Sequence, residues 1–192
     1  MNNKAFEIFP AIETQNLYLK EITNEHDKDI FRIFSDDKAM EFYDLDTFAS
    51  IDEARDLISR MSAGYRAQRY IRWGISKKFG GPIIIGTCGF HNFDRRSSRV
   101  ELGFELVKDY WRQGIMTESL SAIIPFGFEE MNFHRIETFI DPGNVASKRL
   151  LVKLGFQEEG FLRERDFLRG SFKNSLIYSL LRGDYIKIKK NL

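Results

Sequence analysis

The residues best placed to do chemistry lie between Glu101 and Leu120, in the run ELGFELVKDYWRQGIMTESL. A strand-like segment there passes through a short turn into a helix-like one, whose start reads Arg112-Gln113-Gly114-Ile115-Met116-Thr117. Such a turn aims consecutive free amides and the positive end of a helix dipole at one point, which suits a pyrophosphate. Gly114 would permit close approach of a ligand to the backbone. An ordinary strand-to-helix turn with a glycine leaves the same local trace. A second segment, NVASKRLLVKLGF, offers Asn144 as a helix N-cap, an apolar stripe of Leu150, Leu151 and Leu154, and Gly155 as a C-terminal stop. Helix capping alone accounts for each of these. What exceeds it is the order of the two segments, about thirty residues apart and joined by the strand-like HRIETFID, His134 to Asp141.

Other chemistries lack their residue sets. The chain has no GxxxxGK[ST] and no GxSxG, and His26, His91 and His134 show no metal-ligand spacing, so each histidine reads as a surface or loop residue and no metal is expected. Cys88 is the single cysteine, which excludes an intramolecular disulfide and a CxxC site and fits a reducing, cytoplasmic setting. Chemistry is left to backbone amides and a bound cofactor.

The elements that must position those residues follow from periodicity. Asn16 to Glu21 reads as a first strand, followed by a helical stretch. Ser50 and Glu53 have capping-box spacing ahead of a helical face of Ala54, Leu57, Ile58, Met61 and Tyr65. Tyr70 to Ser76, Ile83 to Phe90 and Arg99 to Val107 read as strands separated by Gly80-Gly81-Pro82 and by Asp94 to Ser98, an antiparallel meander. A helix from about Gly114 to Met131, a strand Arg135 to Asp141, a helix Asn144 to Leu154, and strands near Phe156 to Phe167 and Ser175 to Leu181 complete an α+β chain of mixed order. Pro125 inside the long helix should kink or split it.

With 192 residues and no repeat or linker, residues 1–192 read as one domain. A net charge of +1 supplies no global field toward nucleic acid or anionic lipid, and the start of the chain lacks the pattern of a signal peptide. No stretch approaches about 18 apolar residues, so neither nucleic acid nor membrane is an expected partner. The 18 phenylalanines are the unusual count. Phe42, Tyr43, Trp73 and Phe90 could line an acceptor site, although core packing accounts for most of them. Tyr43 lies in the acidic run EFYDLD, Glu41 to Asp46, which could attract an amino group or be a solvated loop.

These motifs together resemble the GCN5-related N-acetyltransferase (GNAT) family, and within it the RimJ/RimL type that acetylates ribosomal-protein N-termini. The family's YWGKGYATEA loop appears as YWRQGIMTES from Tyr110 to Ser119, and its N-x-x-S segment ending in GF as Asn144, Ser147, Gly155 and Phe156. The resemblance implies a single-domain GNAT fold, a mostly antiparallel sheet splayed between the fourth and fifth strands and flanked by helices. It implies acetyl-CoA as cosubstrate, with amides of Arg112, Gln113, Gly114, Ile115, Met116 and Thr117 on the pyrophosphate and the Thr117 hydroxyl as a further donor. Backbone groups near Leu106 and Val107 would pair with the pantetheine arm and hold the oxyanion, Asn144 would bond the pantetheine, and Ser147 would lie near the sulfur.

For the proton acceptor the resemblance implies Asp166, with Glu101, facing away from Leu102 and Phe104, as the other carboxylate. Tyr43 and Phe90 are the expected acceptor contacts. Met116, Arg112, Leu151, Asn174 and Pro125 depart from the family pattern; Leu151 stands where many members carry a tyrosine acid, which turns that role to Ser147. The implied acceptor is a protein N-terminal α-amine, with a small amine or a non-catalytic acyl-CoA-binding module as rivals, and self-association is expected from the family.

Overall fold

The computed structural model describes residues 6–43 and 45–190; Asp44 of the acidic run, Met1 to Ala5 and the last two residues lie outside the described residues. The elements are β1 (Ile12–Glu13), β2 (Leu17–Lys20), α1 (Asp27–Phe34), α2 (Ile51–Arg66), β3 (Ile71–Lys77), β4 (Gly86–Asp94), β5 (Arg99–Leu106), α3 (Ile115–Pro125), β6 (Arg135–Ile140), α4 (Val145–Lys153), β7 (Gln157–Leu168), β8 (Ser171–Leu181) and α5 (Arg182–Lys190). The eight strands form one sheet in the order β1-β2-β3-β4-β5-β6-β8-β7. Neighbours pair antiparallel except β5 and β6, which are parallel. The short β1 precedes the strand read first from the sequence, so the expected fourth and fifth strands are β5 and β6.

Alternation along the central strands separates two layers. Trp73, Phe90, Leu102 and Leu106 join Ile115, Leu120, Ile123 and Phe128 in a core beneath α3. A second cluster on α1 and α2 contains Ile30, Ile33, Phe34, Ala54, Leu57 and Ile58. On the sheet face away from α3, register aligns Arg72 with Gly89 and Gly103, and His91 with Glu101. That face is the floor of the site described below.

Several boundaries differ from the sequence reading for identifiable reasons. The third expected strand begins at Gly86 rather than Ile83, because the Ile84 amide donates to Asp29 Oδ2 at 2.8 Å instead of to a neighbouring strand. Pro125 has no N–H for the turn before it; α3 stops there and continues as a π turn, Phe126–Glu130, closed by Met131 N–H to Phe126 O at 3.0 Å. The lysine-rich end is helical, as α5, with Tyr185 and Lys189 both bonded to Glu129. Among the described residues no helix is long and apolar enough to cross a membrane.

At Gly89 the neighbouring strand leaves no room for a side chain. A β-carbon there would stand 2.2 Å from Ile71 O and 2.6 Å from Arg72 Cα, both backbone atoms that cannot yield cheaply. Gly89→Ala is expected to cost about 1–3 kcal/mol by overpacking, measured as a lower urea midpoint with an unchanged slope.

Candidate active site

The β5 and β6 strands pair only at Arg99, Val100 and Glu101 against Arg135, Ile136 and Glu137. Beyond these residues they part. The Val107 amide donates to Ile85 O at 2.9 Å, so residues 101, 103, 105 and 107 spend their backbone groups on β4 and its approach. The amides of Leu102, Phe104 and Leu106 therefore turn toward β6. On the other side, the Arg182 amide bonded to His134 O sets the opposite phase, which turns Phe139 toward β5. The result is a wedge whose two walls carry unmatched backbone donors and acceptors.

Val107 does not contribute to this edge as expected. Its N–H serves Ile85, its carbonyl accepts from Tyr110 N–H at 3.0 Å, and its side chain is buried against α1 and α2. Leu106 does, with its N–H facing the wedge and its carbonyl accepting Trp111 Nε1–H at 2.8 Å. That bond ties the end of β5 to the turn leading into α3.

The turn itself is built from two left-handed residues, Arg112 (φ 59°) and Gly114 (φ 77°), and among the described residues beyond its chain neighbours nothing lies within 4 Å of where a Gly114 β-carbon would be. Open space at the first turn of α3 is thus combined with free amides and a helix dipole. Met116, a departure from the family pattern, buries its side chain in the core. Gln113 turns its side chain to Asp109 O (2.8 Å) and is not part of the cleft wall. The helix start is anchored by Glu118, which accepts from Thr14 Oγ1 (2.6 Å), Asn16 N (2.7 Å) and Asn16 Nδ2 (3.0 Å).

A cleft of about 1380 Å³ joins these features. Arg112, Gly114, Ile115, Met116 and Thr117 line one end, Leu106 and Phe139 the wedge, and Asn144 and Ser147 the α4 side. Asn144 is the N-cap of α4, its Oδ1 accepting the Ser147 amide at 3.0 Å, which leaves the Nδ2 end as its donor. Ser147 is half-buried, while Leu151 is fully buried and faces the core.

At the far end the floor is polar. Arg72 Nε donates to Thr87 Oγ1 at 2.5 Å, its guanidinium pairs with Glu105, and its Nη2 donates to Tyr43 Oη at 3.1 Å. Thr87 in turn donates to Glu105. Burial alone would lower the Arg72 pKa, but Glu105 and its neighbours raise it well above the ordinary value, so Arg72 stays cationic. In the next row His91 Nε2 stands 3.5 Å from Glu101 Oε2. Burial pushes the Glu101 carboxyl up, yet hydrogen bonds from His91 and Asn92 hold it below its usual value, so Glu101 is ionised at neutral pH.

Asp166 lies on the β7 and β8 wall, accepting Ser175 Oγ–H at 2.7 Å and paired with Arg165. Asn174 caps a β7 irregularity by accepting the Glu164 amide at 2.9 Å. Arg169, at the tip of the β7–β8 hairpin, donates to the carbonyls of Met40 (2.5 Å) and Glu41 (3.1 Å), so the hairpin is strapped to the loop after α1. Among the residues expected from sequence, Ser147, Asp166, Glu101, Leu106, Asn144, Tyr43 and most of the α3 turn share this one cleft. Phe90 does not. It is fully buried and packs edge-on against Trp73 and Phe133, as the alternation of β4 dictates. His91, read as a surface or loop residue, lies on β4 and lines the cleft; its period-two relation to Gly89 and Thr87 was the signal for its face.

Comparison with known proteins places residues 16–157 in the acetyltransferase (GNAT) domain family. The chain is 36% identical to the uncharacterized N-acetyltransferase YoaA of Bacillus subtilis over 91% of this chain and 98% of that protein. It is 30% identical to the [ribosomal protein uS5]-alanine N-acetyltransferase of Escherichia coli over 53% of each. Its fold matches the solved structure of RimL, a ribosomal L7/L12 α-N-protein acetyltransferase in complex with coenzyme A, with a TM-score of 0.81 at 18% identity, covering 90% of this chain and 98% of that one.

The anchoring of α3 has a pH signature. Partial burial raises the Glu118 pKa, but the bonds from Thr14 and Asn16 outweigh it and hold the carboxyl below its ordinary value. Its stabilisation is therefore complete above the unfolded carboxylate pKa of about 4.3 and is lost as pH falls through the lowered folded value. Thermal midpoints of wild type and Glu118→Gln, well separated at pH 7, are expected to converge as the pH is lowered toward 3.

Proposed function

The chain belongs to the GNAT family of N-acetyltransferases, and from that premise we propose that it moves the acetyl group of acetyl-CoA to the α-amine of a protein N-terminus. The observation that carries this reading is the open β5–β6 wedge, continuous in one cleft with the α3 amides and with a polar floor. Members of the family use acetyl-CoA, and the residues here fit it: open space at Gly114 beside helix-start amides suits a pyrophosphate, and the unmatched edge of β5 suits the amide groups of pantetheine, which would lie along it as an added strand. Two relatives support the acceptor class, the uS5-alanine enzyme and RimL.

When bound, acetyl-CoA supplies a thioester carbonyl for amine attack and a thiolate leaving group. An α-amine has a pKa near 8, so a useful fraction is free base at neutral pH and no strong base is required. The Leu106 amide donates to the developing oxyanion. Ser147 donates its hydroxyl proton toward the sulfur, and Asn144 Nδ2 holds the pantetheine. Glu101 and Asp166 are the two carboxylates placed to take the amine's proton, directly or through water. Asp166 is engaged by Ser175 and Arg165, and Glu101 is ionised and held by His91 and Asn92.

Mass spectrometry after incubation with acetyl-CoA, alanyl or seryl peptides and polyamines tests the reading. Acetylation at the peptide α-amine is expected; modification of the polyamine alone would overturn the acceptor class, and binding without turnover would overturn catalysis. Ser147→Ala should lower kcat about 10- to 100-fold with little change in acceptor KM. Of Glu101→Gln and Asp166→Asn, the variant that removes the acidic limb of the pH–rate profile identifies the base.

A further inference from the structure

Consecutive residues of a strand ordinarily face opposite sides of its sheet, yet Arg165 and Asp166 both line the cleft. The β7–β8 register accounts for this. Leu162 pairs with Ser175 and Asp166 with Lys173, so the step from 162 to 166 on β7 is matched by the shorter step from 175 to 173 on β8. Glu164, inside this bulge, is left-handed (φ 50°), and Asn174 holds it by accepting the Glu164 amide at 2.9 Å. A bulge re-aims the side chains around it. Arg165 reaches over β8 to β6, where its guanidinium carbon stands 3.6 Å from the centroid of the Phe139 ring. Its Nη1 donates to both carboxylate oxygens of Asp166, at 2.7 and 2.9 Å. A planar cation thus lies on an aromatic face and is pinned at one corner. Among the described residues no hydrogen bond engages its Nε or Nη2, and 32% of its side chain stays exposed.

Resting on the acetyltransfer reading above, we propose that Arg165 reads the carbonyl next to the acceptor amine, donating from the free edge of its guanidinium to the first peptide carbonyl of the chain being acetylated. Its placement supports this. Phe139, the platform, belongs to the β6 wall of the wedge in which the thioester would lie. Asp166 is bonded to the guanidinium, and the guanidinium charge reaches Glu101, whose pKa burial raises and His91, Asn92 and Arg165 bring down. Both carboxylates placed to take the amine's proton are therefore neighbours of Arg165. In an α-aminoacyl group a single carbon separates the amine from the carbonyl, so an amine at the wedge brings that oxygen to a donor on the wedge's wall. The guanidinium offers a fork of N–H groups in one plane, with its charge balanced by Asp166. A cation on this side also favours the neutral, nucleophilic amine over the ammonium. A polyamine or a lysine side-chain amine carries no carbonyl at that distance, so the same contact selects an α-amine. Phe139 and Asn174 are positioning residues: the ring sets the plane of the fork, and the cap holds the bulge that turns Arg165 inward.

The probes are alaninamide, sec-butylamine, which carries an ethyl group in place of the carboxamide, and an alanyl hexapeptide, each with acetyl-CoA. Arg165→Lys keeps the charge beside Asp166 but removes the planar fork and its seat on Phe139. It is expected to lower kcat/KM for alaninamide about 10-fold relative to that for sec-butylamine, the size of one lost hydrogen bond to a charged group. The change should fall on the acceptor KM, with the KM for acetyl-CoA and the thermal midpoint retained. Phe139→Leu, which takes away the platform and leaves the arginine, should move the ratio in the same direction by less. An unchanged ratio in Arg165→Lys, whether both amines lose equally or neither does, would overturn the proposal. Independently of turnover, calorimetric titration of the hexapeptide into the CoA-bound protein should show about 10-fold weaker binding for Arg165→Lys than for wild type. Equal affinities, or no binding to wild type, would overturn it. Absence of acetyl transfer to every probe by wild type would instead overturn the acetyltransfer reading, and the calorimetric comparison would still decide the role of Arg165.

Discussion

The architecture turns on hydrogen bonds that β5 and β6 do not make with one another. Three residues of parallel pairing hold them together at Arg99–Glu101, and then the strands diverge while each remains fully laddered to its outer neighbour. A strand edge inside a protein must find partners for its N–H and C=O groups. Here the partner has to come from outside, which converts a backbone requirement into a binding site for an extended, amide-bearing ligand.

The elements around the wedge keep it open and aim groups into it. The α3 helix lies below, its core residues packed under Trp73, Phe90 and Leu102, and its start fixed by Glu118 to the β1–β2 connection. Trp111 ties the turn before α3 to the last residue of β5. The N-cap of α4 brings Ser147 to the opposite wall. Because each anchor is a hydrogen bond to backbone or a buried contact, the positions of the α3 amides and of Ser147 are set by the fold rather than by loop conformation.

Chemistry on the opposite sheet face obeys a different constraint. Arg72, Thr87 and Glu105 are charged or polar and buried, which is tolerable only because they satisfy one another. Gly89 and Gly103 in the middle row make room for this network, since a β-carbon at the first would meet the Arg72 backbone and one at the second the Arg72 guanidinium and the His91 ring. The lone cysteine also lies on a central strand, but on the α3 side, where burial pushes its thiol pKa well above the ordinary value and removes it as a nucleophile.

Much of this was legible in order and type. The capping box before α2, the glycine-proline turn after β3, the amide-rich start of α3 and the Asn144 cap are local signals, carried by side chains within four residues of the backbone they serve. Proline at 125 foretold the break in α3 for the same reason. Residue type and spacing therefore determined most of the elements, though not β1 or α5, and the two segments that would hold a CoA-like ligand. What only the tertiary structure decided is which residues share a face and which backbone groups remain unmatched. That Val107 is spent on Ile85, that Phe90 points into the core, and that His91 lies beside Gly103 over Glu101 follow from register across strands distant in sequence. Register is fixed by long-range pairing and burial, and a shift of one residue would exchange the two faces of β4 and β5.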